Sequence, residues 1–355
     1  MKPERSAAIH ASMAIALIVM VVFAYSSVLS DEFRSMSRHY NNWIVDGFGG
    51  LFLFLCGMHE VLFMKKGLKS GKFTMYCQRK GLLFAAAGFF LAIWFPLHLF
   101  IILGLLYFVT PWLAKLRSGT LILAASMVIA ASFKFYALNW SEYVQPVSAV
   151  NRGDFIPKSI TFVLFRSYYG FIPWAAYYLA GMVFGKINFT KRRNLRTITT
   201  WSIGLFVLTL ILDPQIDKFY QYTPRELEST FWPFGWFQHG ALFTVAGICL
   251  CCLYVPYVTL LMQKIKDSSP VKTLIRMGRM KFTFYGAAVI VGASFVFAGQ
   301  FGIIDAADLQ RPEVIGVITF FFIMACFVFT TVWRRYKTHG PLEKIMMKLG
   351  GLHVG

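Results

Sequence analysis

Ten long apolar runs constrain this chain more than any other feature, because few folds can house them. They cover residues 8–29, 43–64, 79–95, 97–116, 119–137, 168–186, 197–213, 236–262, 281–299 and 313–334. Crossing the hydrocarbon core of a bilayer takes about 20 apolar residues. Backbone groups in lipid must be satisfied within their own segment, so each run is expected to be a helix, and runs this frequent exclude a membrane β-barrel. The expected fold is an all-α integral membrane protein, a polytopic bundle of about ten transmembrane helices. No linker, low-complexity tract or soluble domain interrupts it, so residues 1–355 read as a single transmembrane domain. No long-period repeat is visible, which gives an inverted-repeat transporter no support.

Hydrophobic residues make up 57% of the chain and charged residues 14%. A soluble domain is nearer half apolar and a quarter charged. The net charge of +19 would suit a nucleic-acid binder, but its distribution points elsewhere. With the N-terminus inside and the loops sorted alternately, 26 of the 35 basic residues fall on one side. They include Lys65, Lys66, Lys69, Lys72, Arg79 and Lys80, then Lys186 and Lys191 to Arg196, then Lys264 to Lys281 and the tail from Arg334. Only Glu4, Asp267 and Glu343 among the acidic residues join them. This is the positive-inside pattern, and it places both termini in the cytoplasm. Most of these charges are read as topology signals. The six cysteines show neither metal-ligand spacing nor placement for an outer disulfide. The first run reads as an uncleaved signal anchor.

Ionisable residues within spans are expensive and default to functional candidates. Toward the outer end lie His39, Asp46, His98, Asp213 and His239; toward the inner end lie His59, Glu60, Arg79 and Lys80, with Arg276 and Arg279 beside the ninth run. Histidine is the usual general base near neutrality, and a carboxylate on its other nitrogen sets the tautomer. Basic groups at inner helix ends suit phosphates. Each histidine can equally be a satisfied packing residue. The long outer loops, 138–167 and 214–235, are aromatic, which fits an interfacial belt or a cap that stacks on sugars. No phosphate loop, dinucleotide fingerprint, nucleophile elbow or zinc-protease helix occurs, so an enzyme here must be of a membrane kind.

The stretch Arg38-His39-Tyr40-Asn41-Asn42-Trp43-Ile44-Val45-Asp46, followed by Phe52-Leu53-Phe54-Leu55-Cys56-Gly57, resembles the transmembrane acyltransferases. The resemblance is to the heparan-alpha-glucosaminide N-acetyltransferase family and its bacterial relatives, distantly akin to the acyltransferase-3 family. Gln78-Arg79-Lys80-Gly81, Pro96-Leu97-His98-Leu99 and Ile172-Pro173-Trp174 agree in order. So do Gly278-Arg279-Met280-Lys281-Phe282-Thr283-Phe284-Tyr285, the most specific block, and the tail Gly340-Pro341-Leu342-Glu343. The first helix departs from the family: where many relatives carry an acidic residue, two spacers and Arg-Gly, this chain reads Ile9-His10-Ala11-Ser12-Met13-Ala14.

The resemblance implies transfer of an acyl group, commonly acetyl, from cytosolic acyl-CoA to a hydroxyl or amine of an outer glycan or lipid acceptor. Acyl-CoA is then a co-substrate, and no metal is expected. His39 is the expected general base or transient acyl carrier, oriented by Asp46 about one turn inside its helix, with His98 and His239 next in rank. An interfacial His39, with Asp46 paired to Arg38 or a nearby amide, is the competing reading. Arg79, Lys80 and Arg279 are the expected grips on the CoA phosphates. The partners implied are the lipid bilayer, acyl-CoA and the acceptor, with no nucleic acid; a homodimer is one state the sequence leaves open. The bacterial relatives imply an inner membrane. A transporter or flippase using the same polar cavity, or an inactive scaffold with the altered first helix, remain as alternatives.

Overall fold

A computed structural model of the chain describes residues 3–29, 41–65, 70–92, 99–137, 171–189, 191–220, 241–265, 268–301, 303–304, 311–335 and 339–349. Among them every regular element is a helix. In chain order these are α1 (Pro3–Leu29), α2 (Asn41–Met64), α3 (Ser70–Ala92), α4 (Phe100–Leu113), α5 (Ser118–Ala137) and α6 (Phe171–Lys186). There follow α7 (Arg192–Tyr220), α8 (Ala241–Ile265), α9 (Ser269–Arg279), α10 (Lys281–Gln300), α11 (Pro312–Trp333) and α12 (Pro341–Leu349). Each of the ten apolar runs is helical over most or all of its described residues. Among the described residues five stretches are long and apolar enough to cross a membrane: Gly47–Met64, Arg192–Leu212, Ala241–Met262, Lys281–Gly299 and Glu313–Trp333. The chain is therefore a helical, multi-pass membrane protein.

The structure adds two helices that are not spans. Along α9 the sequence sorts Val271 and Met277 inward while Lys272 and Arg279 stay exposed. A short helix with one apolar and one basic face suits a bilayer surface rather than its core. The nine-residue α12 is of the same kind. The third run also begins earlier than its apolar content shows. Helix α3 starts at Ser70, so Arg79 and Lys80 stand well inside it rather than at its end.

Lipid tails are as apolar as leucine, so helices in a bilayer associate through close contact rather than hydrophobic burial. Glycines mark those contacts here. A Cβ on Gly181 of α6 would collide with the Phe54 carbonyl of α2, and one on Gly57 would collide with the Tyr178 carbonyl. Between α3 and α4, a Cβ on Gly81 would stand 2.7 Å from the Gly104 carbonyl oxygen. Helix α6 bends at Ile172, whose φ −105° and ψ 123° are extended; the residue before a proline is pushed out of the helical region. One packed core runs from Ile9 to Met346. Within it Phe84 meets Phe282 and Phe100 meets Tyr285, each with ring centroids 4.9 Å apart. The Tyr25 hydroxyl donates to the Ala288 carbonyl at 2.8 Å, tying α1 to α10.

Candidate functional site

The start of α1, the end of α2, the middle of α3, the α9–α10 junction and α12 enclose a cavity of about 250 Å³. Its walls follow from local chemistry. Gly278, the next-to-last residue of α9, lies so close to α1 that a side chain there would strike the His10 carbonyl. The missing Cβ lets α9 press on α1, and this sets Arg279 and Lys281 on the same cavity as His10. Helix α10 begins without a side-chain cap of its own. The first N–H groups of a helix lack partners and carry partial positive charge. Glu343 of α12 supplies the partner. Its Oε1 accepts from the Phe282 N–H at 2.6 Å and the Thr283 N–H at 3.2 Å, and its Oε2 accepts from the Thr283 hydroxyl at 2.5 Å. Burial lifts the Glu343 carboxyl above its ordinary value, against the opposing pull of those donors. At the far end of α12, Arg79 Nη1 donates to the Leu349 carbonyl at 2.6 Å. So pinned at both ends, α12 contributes Met346 and Met347 to the cavity wall.

A buried ion pair closes the inner end. Lys80 Nζ lies 2.7 Å from Glu60 Oε1, and both side chains are 1% exposed. Such a pair is costly to desolvate and persists only with close geometry and further contacts. The ammonium also sits 3.6 Å from the centroid of the Tyr107 ring, a cation–π contact. Beside the pair, His59 Nδ1 stands 3.6 Å from Glu60 Oε1. The His59 ring stacks on Phe63 and meets the His10 ring edge-on at 5.7 Å. His10 Nδ1, His59 Nδ1 and Glu60 Oε2 are buried without a hydrogen-bond partner. Lys281 is 4% exposed, and no carboxylate lies within ion-pair reach of it among the described residues. A cavity with surplus fixed cations and two imidazoles is equipped to hold an anion and to exchange protons. Among the described residues no group of three or more His, Cys, Asp or Glu side chains could hold a metal ion.

Two of the residues expected to grip phosphate meet at this cavity. Arg279 lines it from an exposed position, and Lys80 lines it while tied to Glu60. Arg79 is exposed and turned to α12 instead. Asp46 lies on α2, 14 residues before Glu60. His39, His98 and His239 lie outside the described residues. Sequence reasoning passed over His10, Lys281 and Glu343 as site residues. Two of these were within sight, since Lys281 belongs to the Gly278–Tyr285 block and Glu343 to the Gly340–Glu343 tail, which the structure joins. His10 sat in the stretch notable for what it lacks.

Residues 5–212 match a family model described as heparan-alpha-glucosaminide N-acetyltransferase, catalytic, which spans more than half of the chain. Residues 184–351 match a second, described as a protein of unknown function (DUF418). No curated protein and no solved structure matches the chain. The cavity is built from both matched segments. Ser6, His10, His59 and Lys80 come from the first, and Arg279, Lys281, Glu343 and Met346 from the second.

Proposed function

The chain belongs to the heparan-alpha-glucosaminide N-acetyltransferase catalytic family, and from that premise we propose that it moves an acetyl group across a membrane. The donor is cytosolic acetyl-CoA, and the acceptor is a hydroxyl or amine of an extracytoplasmic glycan or lipid. In this reading residues 1–355 act as one transferase unit of ten spans in a bacterial inner membrane, with both termini in the cytoplasm. The cavity between the two matched segments carries the proposal, because it gathers more cations than anions at the basic ends of the helices. Exposed Arg279 meets the donor's phosphates, for which a guanidinium is well shaped.

The acceptor end of the proposal keeps His39 as general base and Asp46 as the group that orients it, with His98 and His239 as further candidates. Asp46 and Glu60 are separated by about 21 Å of helix axis at 1.5 Å per residue. The arm of the donor therefore runs along α2 from the cavity toward the acceptor.

Titrating acetyl-CoA into the full-length protein in detergent tests the donor half. Binding should weaken about tenfold in Arg279→Ala, and the variant's affinity should depend less on salt than the wild type's. Acetyl transfer in native membranes tests the other half. His39→Ala should abolish transfer, a loss on the order of 10²–10⁴, and leave acetyl-CoA binding intact. A wild-type protein that ignores acetyl-CoA would end this reading.

A further inference from the structure

Beyond the Glu60–Lys80 pair the bundle is not purely apolar. Tyr107 of α4 lies under the Lys80 ammonium, so the carboxylate and the phenol ring touch the same cation from two sides. The Tyr107 hydroxyl is fully buried and has no hydrogen-bond partner of ordinary geometry; the Cys56 thiol, one helical turn beyond Glu60, is among its neighbours. On the same level Tyr178 of α6 and Thr110 of α4 are joined by a 2.6 Å hydrogen bond. Thr110 gives its proton to the Leu106 carbonyl at 2.7 Å, so the Tyr178 hydroxyl is the donor between the two. A polar line thus enters the core from the cavity, shared by α2, α3, α4 and α6. It leaves two orphans of opposite character on the two residues that hold Lys80. Glu60 Oε2 can only accept, and the Tyr107 O–H needs an acceptor.

Buried polar atoms without partners are costly, and water or a ligand normally completes them. An amide satisfies both orphans at once, with its N–H toward a carboxylate and its carbonyl toward a hydroxyl. We propose that the pantetheine arm of the acyl donor passes the Glu60–Lys80 pair and completes this site, an arm amide donating to Glu60 Oε2 and accepting from the Tyr107 hydroxyl. The proposal rests on the donor reading above and adds to it the arm's route. Lys80 is the movable part, because its flexible side chain can swing on the Tyr107 face while Glu60 keeps a partner in the amide. The pair then acts as a closed throat that keeps the core dry until the donor arrives.

The test compares two probes on the detergent-solubilised full chain: CoA, and adenosine bisphosphate, its nucleotide half without the arm. The wild type should bind CoA more tightly. Tyr107→Phe keeps the ring beneath Lys80 and removes only an unpartnered hydroxyl, so its thermal unfolding should match the wild type or exceed it. It should lose about three- to tenfold in CoA affinity, the worth of one neutral hydrogen bond, and nothing in bisphosphate affinity. Glu60→Gln should narrow the gap between the probes in the same direction. Arg279→Ala should weaken both probes alike. Equal wild-type affinity for the two probes would overturn the inference and leave the donor reading standing, as would a CoA advantage that survives both Tyr107→Phe and Glu60→Gln. Failure of the wild type to bind either probe would instead remove the donor reading beneath it.

Discussion

Helices α2 and α7 hardly differ in hydropathy, yet they end in opposite surroundings. Of the span Gly47–Met64 in α2, 72% of residues are buried in the protein, against 11% for Arg192–Leu212 in α7. In water, apolar content of this order would draw both helices inward. In a bilayer it decides nothing, because the alternative to protein is an equally apolar lipid. The separating feature is where a helix lacks bulk and where it carries charge. Helix α2 has Gly57 jammed against the Tyr178 backbone and Glu60 paired within the core. Helix α7 has Gly204 with open space around its missing Cβ, and Thr209 turned back on the Phe206 carbonyl of its own helix. Small residues at contacts and polar residues with distant partners mark the interior here.

Two glycines give the sharpest way to break that comparison. Gly181→Leu at the α2–α6 seam drives a side chain into the Phe54 backbone, which cannot retreat without separating the helices. Overpacking of this kind costs roughly 3 kcal/mol or more, so little folded protein should survive extraction into detergent. Gly204→Leu should leave yield and thermal unfolding within error of the wild type. Equal losses at the two sites would mean that α7 packs against protein as α2 does.

The next effect lies in the buried charge. Glu60→Ala leaves Lys80 uncompensated at 1% exposure, and breaking such a pair costs about 3–5 kcal/mol. Adding Lys80→Met should restore most of that loss in thermal unfolding while CoA affinity stays low. A single Glu60→Ala variant as stable as the wild type would show that water reaches the pair.

The presence of the apolar helices was legible because hydropathy records it directly; their ends were less so, since α3 begins at Ser70 in a polar stretch. Helices α9 and α12 were not, since short basic segments read as loops until a neighbour shows which face is covered. The candidate site divides in the same way. Arg279 was visible as an inner-end charge. Arg79 and Lys80 looked equivalent, but successive residues on a helix point about 100° apart. One reaches the α12 carbonyl and the other the core. His10 and Lys281 face one cavity only because Gly278 lets α9 approach α1, a contact between positions 268 residues apart that no local pattern records.

The smallest effect concerns the latch of α12, which extends the comparison to a helix that spans nothing. Glu343 ties helix α12 to donors on α10, in addition to the burial of Met346 in the core. Glu343→Gln keeps an acceptor for the Phe282 and Thr283 N–H groups, so its cost at neutral pH should stay within about 1 kcal/mol. The pH dependence is more telling. Burial raises the folded carboxyl above its ordinary 4.5, so between those two values the folded state holds more protons than the unfolded one. Stability from this group therefore falls as pH rises through that window and is recovered as pH is lowered toward 4.5. Thermal unfolding of the wild type, followed from neutral pH downward, should show that gain relative to Glu343→Gln, in which position 343 has no proton to take up. A constant difference between the two proteins across the window would mean that the three donors hold the carboxylate charged, and that α10 keeps its anionic cap at every pH tested.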